Sequence, residues 1–253
     1  MSNAQSIPGH SVPSKITEIW RYPVKSVGGE RLDSADLGPA GITGDRQWGI
    51  VDTETGHMLT ARRQPELLFA SSKLVGDGVE ILLPDGTTAD NDQELSSWLG
   101  HGVSLVSRAD TSEPQSYEIA KDFEDEQGSQ WVNWKGQSWS FHDSAKAAVS
   151  VLSTGSMGVW DYRRFRGNLI IDRPTETDLV GRELTAGGAK LEALKGIHRC
   201  VMVTRPLPAD RSGQPAERDL DILREIIRHR NTILGTGCAV TGSGRLSTGD
   251  FVS

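Results

Sequence analysis

Cysteine is scarce: Cys200 and Cys238 are the only thiols in 253 residues. Two thiolates cannot complete a four-cysteine iron–sulfur cluster, so none is expected in this chain. The pair has the number for one disulfide, but nothing else in the sequence points to an oxidising compartment. Long apolar runs are missing as well. No stretch of about 18 apolar residues occurs, so no transmembrane helix and no membrane partner are expected. Residues 1–14, rich in Ser, Pro and polar side chains, lack the apolar segment of a secretory signal and are expected to be disordered. The expected location is cytoplasmic. Positive charge is in deficit: 27 Lys and Arg stand against 34 Asp and Glu, a formal net charge of −7. A nucleic-acid partner is not expected, because non-specific binding needs a basic surface.

Several catalytic signatures are also missing. There is no Gly-x-Gly-x-x-Gly after a strand, no phosphate loop ending in Gly-Lys-Ser, and no Gly-x-Ser-x-Gly elbow. The histidines His10, His57, His101, His142, His198 and His229 are scattered without zinc-type spacing. Cys200 and His198 lack an orienting third group for a nucleophile–base pair.

Glycine is abundant, at 28 residues. Turn signals such as Val27-Gly28-Gly29-Glu30, Asp85-Gly86 and Gly242-Ser243-Gly244 punctuate short apolar runs. Many short strands follow from that texture, and with them a barrel or sandwich rather than a helix bundle. Strands are predicted over Ile16–Tyr22, Gln47–Val51, Val79–Leu83, Val103–Val106, Leu169–Ile171, Leu191–Leu194, Gly237–Val240 and Gly249–Val252. Ala145–Leu152 reads as a strand or a helix, and Leu95–Leu99 as a helical turn. Leu220–His229 is predicted as the clearest helix, with Leu220, Leu223, Ile226 and Ile227 on its apolar face. From Arg108 to Gly136 the chain turns polar and acidic, densest at Asp122–Glu126, which marks a boundary or a long loop over a cleft. Trp131, Trp134 and Trp139 pack under that loop or floor a pocket.

Candidate functional residues fall in clusters. Tyr22-Pro23-Val24-Lys25-Ser26 sets a lysine beside a hydroxyl at a strand-to-turn junction, suited to an anion. Gly41-Ile42-Thr43-Gly44-Asp45-Arg46-Gln47-Trp48 offers the planar fork of Arg46, steadied by Asp45, and Leu59–Pro65 adds Arg62 and Arg63. Arg163-Arg164-Phe165-Arg166-Gly167-Asn168 concentrates positive charge in an acidic chain, as a bound anion or a solvated basic turn would require. His198-Arg199-Cys200 precedes a β-branched run read as a strand. Neighbouring cations favour a thiolate, the form that binds soft metals, whereas a lone strand cysteine is ordinarily a small buried hydrophobe.

In this order, Tyr22–Ser26, Gly41–Trp48, Leu59–Arg62, Phe165–Asn168 and Arg199-Cys200 resemble motifs of the MOSC family. The similarity is to the branch with an extra N-terminal β-barrel domain, and it runs from Ile16 to Val252. The resemblance implies a mainly β protein with some α, built of two interlocked β-barrel-like domains at 15–107 and 108–253. It implies a molybdenum–molybdopterin cofactor whose metal is held by the Cys200 thiolate, the catalytic group. Lys25, Ser26, Arg46, Arg166, Asn168 and Arg199 would hold the pterin and its phosphate, with Ser153 and Ser156 approaching from an adjacent loop. Members of this branch reduce small N-hydroxylated molecules. Some carry a fused ferredoxin domain, for which this chain lacks the cysteines, so a separate electron-donor redox protein is the expected partner. Where relatives often carry Thr-Thr-Val-Asp-Pro after the cysteine, this chain has Val203-Thr204-Arg205-Pro206, and Arg205 is expected to bias it toward anionic substrates. The alternatives are a cofactor carrier or sulfur-handling module without reductase activity, and a metal-free binding barrel in which Cys200 is merely buried. A full-length sulfurase is not expected, since 253 residues leave no room for its pyridoxal-phosphate domain.

Overall fold

The computed structural model describes residues 13–111, 116–122, 128–135, 141–142, 144–210 and 213–253. Most of the segment expected to be disordered, residues 123–126 of the acidic patch and Trp139 lie outside them, as does the side chain of Trp134. Trp131 is half-buried, with Arg63 over its ring at 4.4 Å.

A ring of strands forms the larger half. Its order is Leu169–Ile171, Val149–Ser153, Ile233–Gly242, Ala189–His198, Glu183–Ala186, Phe251–Val252 and Ser14–Arg21, which pairs back with Leu169–Ile171. The alternation of Ser14–Arg21 breaks because its register shifts between Ile16 and Glu18, which lets Ile16 and Ile19 both point inward. Ile16, Ile19, Val151, Leu169, Ile171, Leu191 and Cys238 fill the interior at no more than trace exposure. Each buried Leu or Ile stabilises by roughly 1.5–3 kcal/mol relative to exposure. Cys238 is part of this core, and burial pushes its thiol up to about 12.

The smaller half pairs Trp48–Asp52 with Val103–Ser107, and Ser71–Val75 with Gly78–Leu82. Its core gathers Val24, Val27, Ile50, Leu67, Ile81 and Leu95. Asn91 caps the helix Asp92–Leu99 by accepting from the Glu94 amide, and Gly100 ends it in the left-handed region.

The halves exchange strands, so the boundary expected near residue 107 is not a clean cut. Ser14–Arg21, early in the chain, belongs to the ring, while Gly244–Ser247, near its end, pairs with Ser34–Gly38. This is the interlocking that was expected, in literal form. The helix Leu220–Arg230 packs Ile222, Leu223 and Ile226 against Leu152 and Leu234 outside the ring. Ile227 is 40% exposed rather than core-facing, because the buried stripe is narrow and runs through 222, 223 and 226. Among the described residues, no helix is long and apolar enough to cross a membrane.

Candidate functional site: a cationic cleft around Cys200

A cleft of about 290 Å³ lies between the halves, with Cys200 in its wall. Among the described residues its lining includes Lys25, Arg46, Arg62, Arg164, Arg166, Lys195 and Arg199, and no carboxylate. In a chain of net charge −7 that is a strong local reversal of sign.

Cys200 sits in a turn just past the strand Ala189–His198, not within a strand. Val201–Thr204 forms one turn of 3₁₀ helix, despite its β-branched composition. Tertiary hydrogen bonds override propensity here. Thr204 Oγ1 donates to the Val201 carbonyl at 2.8 Å, and Arg164 donates to the carbonyls of Val203 and Arg205 at 3.3 and 2.6 Å. The turn leaves Cys200 partly exposed, and both thiols of the chain are free. Arg62 Nε donates to Cys200 Sγ at 3.4 Å.

Lys25, Ser26, Arg46, Arg166 and Arg199 all line this cleft. Ser26, Arg46 and Arg166 have φ of 66°, 52° and 50°, a left-handed backbone that non-glycine residues adopt at a cost. Three of the five non-glycine residues with positive φ among those described therefore stand in one site. Lys25 Nζ donates to the Phe141 carbonyl at 2.9 Å. Arg46 and Arg166 lie over the Tyr22 ring at 5.0 and 4.3 Å, and Arg166 donates to the Val27 carbonyl at 2.7 Å. Burial holds the Tyr22 phenol well above its usual value, against the opposing pull of Arg166 and Arg46, so the ring stays neutral beneath both cations.

Asp45 anchors this corner. It is fully buried and accepts from the Tyr22 amide at 2.7 Å, from Arg46 Nη1 and from Asn168 Nδ2 at 3.1 Å, and His142 Nε2 stands 3.4 Å away. Asn168 is itself fully buried and does not line the cleft. Its Oδ1 accepts from the Ser150 amide and hydroxyl at 3.0 and 2.8 Å. Asn168 is thus a positioning residue, one bond behind Asp45, rather than a contact for a ligand.

Arg199 donates Nε to the Leu234 carbonyl at 2.6 Å and Nη1 to the Phe165 carbonyl at 2.8 Å. Burial pulls its guanidinium down to about 10, opposed by Cys200 and Glu176, and it stays charged at neutral pH. Gly235 makes room for it. At φ +98°, a Cβ there would lie 2.7 Å from both Arg199 Nη2 and Leu152 Cδ2. Gly235→Ala is therefore expected to destabilise by roughly 2–4 kcal/mol, lowering the melting temperature by roughly 4–16 °C. A variant melting within about 2 °C of wild type contradicts this.

Other expected residues are elsewhere. Ser153 is fully buried, and its hydroxyl and amide both donate to Glu176. Ser156 is buried and borders a separate recess with Pro174, Thr175 and His229. Neither lines the cleft, because the strand Val149–Ser153 carries its end away from Cys200 and into the turn that Glu176 holds. Arg205 is buried and outside the lining. It donates to the Arg62 carbonyl at 2.7 Å, bracing the residue that reaches the thiol, so the expected substrate role for Arg205 is not supported. Of the basic cluster, Arg163 is bound to Asp161 and the Pro208 carbonyl.

Thr60, His142 and Lys195 line the cleft without having been singled out as site residues from sequence. For Lys195 a signal existed: it falls in step with Leu191 and Ala193, the inward positions of its strand.

The residues fit an anionic, phosphate-bearing group with a soft metal. Arg199 Nη2 and Thr60 Oγ1 are buried in the cleft wall with no hydrogen-bond partner among the described residues. Such donors call for an acceptor from outside the protein. Among the described residues no cluster of three His, Cys, Asp or Glu could hold a metal alone, so Cys200 would be a single protein ligand.

A stretch of 105 residues is 32% identical to "Mitochondrial amidoxime-reducing component 1" of Homo sapiens, covering 37% of this chain and 30% of that one. The bovine "Mitochondrial amidoxime reducing component 2" is 38% identical over 60 residues, 22% of this chain and 18% of its own. "Molybdenum cofactor sulfurase 2" of Aedes aegypti is 23% identical over 232 residues, 81% of this chain and 27% of its own. These matches thus span less than a third of each relative's length. Residues 14–128 match the MOSC N-terminal beta barrel domain and residues 140–253 the MOSC domain, and the chain belongs to the MOSC family in the form that carries both.

Proposed function

We propose that this cleft holds a molybdenum–pterin cofactor through Cys200 and reduces N-hydroxylated small molecules. The observation that carries the reading is the pairing of a solvent-reachable thiol with a cationic wall that holds no carboxylate among the described residues. Bound there, the cofactor supplies two-electron chemistry at a metal. The protein's own residues do the rest. The Cys200 thiolate is the soft ligand, and Arg62 donates to its sulfur, which tempers the charge it presents. Lys25, Ser26, Arg46, Arg166 and Arg199 bind the anionic group, with Thr60 and Arg199 supplying the buried donors noted above. Asp45, held by Asn168, aims Arg46, and Arg205 holds Arg62 in place. The net reaction breaks the substrate N–O bond, takes up two electrons and two protons, and releases water. The electrons come from a separate redox protein.

Cofactor-loaded protein supplied with a reduced viologen dye is expected to convert N-hydroxybenzamidine to benzamidine. Absence of turnover with every reduced donor overturns the reading. A carrier or sulfur-handling role is the second reading, favoured by the extent of chain shared with the Aedes aegypti relative. A metal that stays redox-silent with every donor supports it.

A further inference from the structure

The strand Ala189–His198 carries its inward side from the ring interior into the cleft. Ala189, Leu191 and Ala193 on that side are fully buried in the core. The register then shifts between Ala193 and Lys195, and Lys195 and Ile197 line the cleft. A lysine thus occupies the position where an apolar residue would continue the pattern.

Lys195 differs from every other Lys or Arg in the lining. Lys25, Arg46, Arg62, Arg164, Arg166 and Arg199 each donate to a protein acceptor. Lys195 is half-buried, and its side chain makes no hydrogen bond, ion pair or ring contact with any described residue. Its Nζ is not among the buried atoms that lack a partner, so it stands open to the cleft, where the described lining holds no carboxylate to engage it.

We propose that Lys195 is the anchor of a substrate subsite and that the favoured substrates carry a carboxylate bound by its Nζ. This rests on the reading of the cleft as a reductase site. The preference once expected of Arg205 belongs instead to this lysine. A compact ammonium suits a single carboxylate oxygen, and the planar forks of the wall are already engaged. The overall negative charge of the chain repels an anion at a distance, so the attraction is local and weakens with salt.

The test uses cofactor-loaded wild type, Lys195→Met and Lys195→Arg. Methionine keeps the unbranched stem and removes the charge, and thermal melts confirm that each variant folds. Benzoate and benzamide are titrated calorimetrically into all three. Wild type is expected to bind benzoate at least ~10-fold more tightly than Lys195→Met does, with most of that recovered in Lys195→Arg and benzamide unaffected. In turnover, wild type is expected to favour para-carboxylated N-hydroxybenzamidine over its methyl ester by about tenfold in kcat/KM, and Lys195→Met to erase the preference. Equal benzoate binding by wild type and Lys195→Met overturns the proposal, as does no binding by wild type. A loss of molybdenum in Lys195→Met also overturns it, by moving the lysine to the cofactor. Lys195-dependent benzoate binding without reduction of any N-hydroxylated compound leaves the subsite standing and overturns the reductase reading alone.

Discussion

Replacing Cys200 with Ser is expected to remove molybdenum from the protein while leaving its fold intact. The thiol is half-buried in a turn, and its contact to Arg62 is a long one, so the melting temperature is expected to stay within about 2 °C of wild type. Metal retention behaves differently. A serine hydroxyl is not deprotonated at neutral pH and offers a hard oxygen where a soft thiolate stood. Cys238 cannot substitute, since it lies in the core of the ring with its thiol pushed up to about 12. Elemental analysis of protein from a cofactor-competent host is expected to give near-stoichiometric molybdenum for wild type and almost none for Cys200→Ser. Equal metal in both would remove Cys200 from the proposed site.

Asp45→Ala carries the largest expected loss of stability. The carboxylate lies at zero exposure and joins the Tyr22 amide, just past the strand Ser14–Arg21, to Asn168, just before that strand's ring neighbour Leu169–Ile171. Its removal leaves Arg46, itself only 14% exposed at its side chain, without its counter-charge. Breaking a buried pair on one side costs about 3–5 kcal/mol, a fall of roughly 6–20 °C in melting temperature for a chain of this size. Cofactor retention is expected to fall with it, because Arg46 loses the group that aims it. Asn168→Ala removes the bond behind Asp45 together with those to Ser150 and Trp20, and a fall in the same direction is expected. A differential scanning melt in which Asp45→Ala matches wild type would show that the corner is held by something else.

The sequence made the ingredients of this corner legible but not their division of labour. Asp45 beside Arg46, and Arg166 near Asn168, suggested an anion site, and the cleft does contain both arginines. Whether a polar side chain faces a ligand or its own protein depends on partners far away in the chain. Asn168 faces Asp45, 123 positions distant, and Ser153 faces Glu176, 23 positions distant. Arg205 looked like an added charge near the thiol, yet its guanidinium donates to a carbonyl 143 positions away. Strand positions were easier, because period-two alternation is local. The exceptions came where register shifted, as between Ala193 and Lys195, or where long-range donors fixed a turn, as in Val201–Thr204. The interlocking of the two domains came with the family resemblance, but which strands they exchange was not legible.

That exchange bears on how the protein is made. Ser14 and Lys15 pair with Val252 and Phe251, so this strand finds its neighbour only after nearly all of the intervening ring has been made. Until then Ile16 and Ile19 lack part of their cover, and the growing chain presents an open sheet edge, the kind of surface that invites aggregation. Synthesis therefore cannot bank a finished N-terminal domain before starting the next. Closure waits on contacts of very high sequence separation, and folding is expected to be slow for that reason and to complete in a single late step.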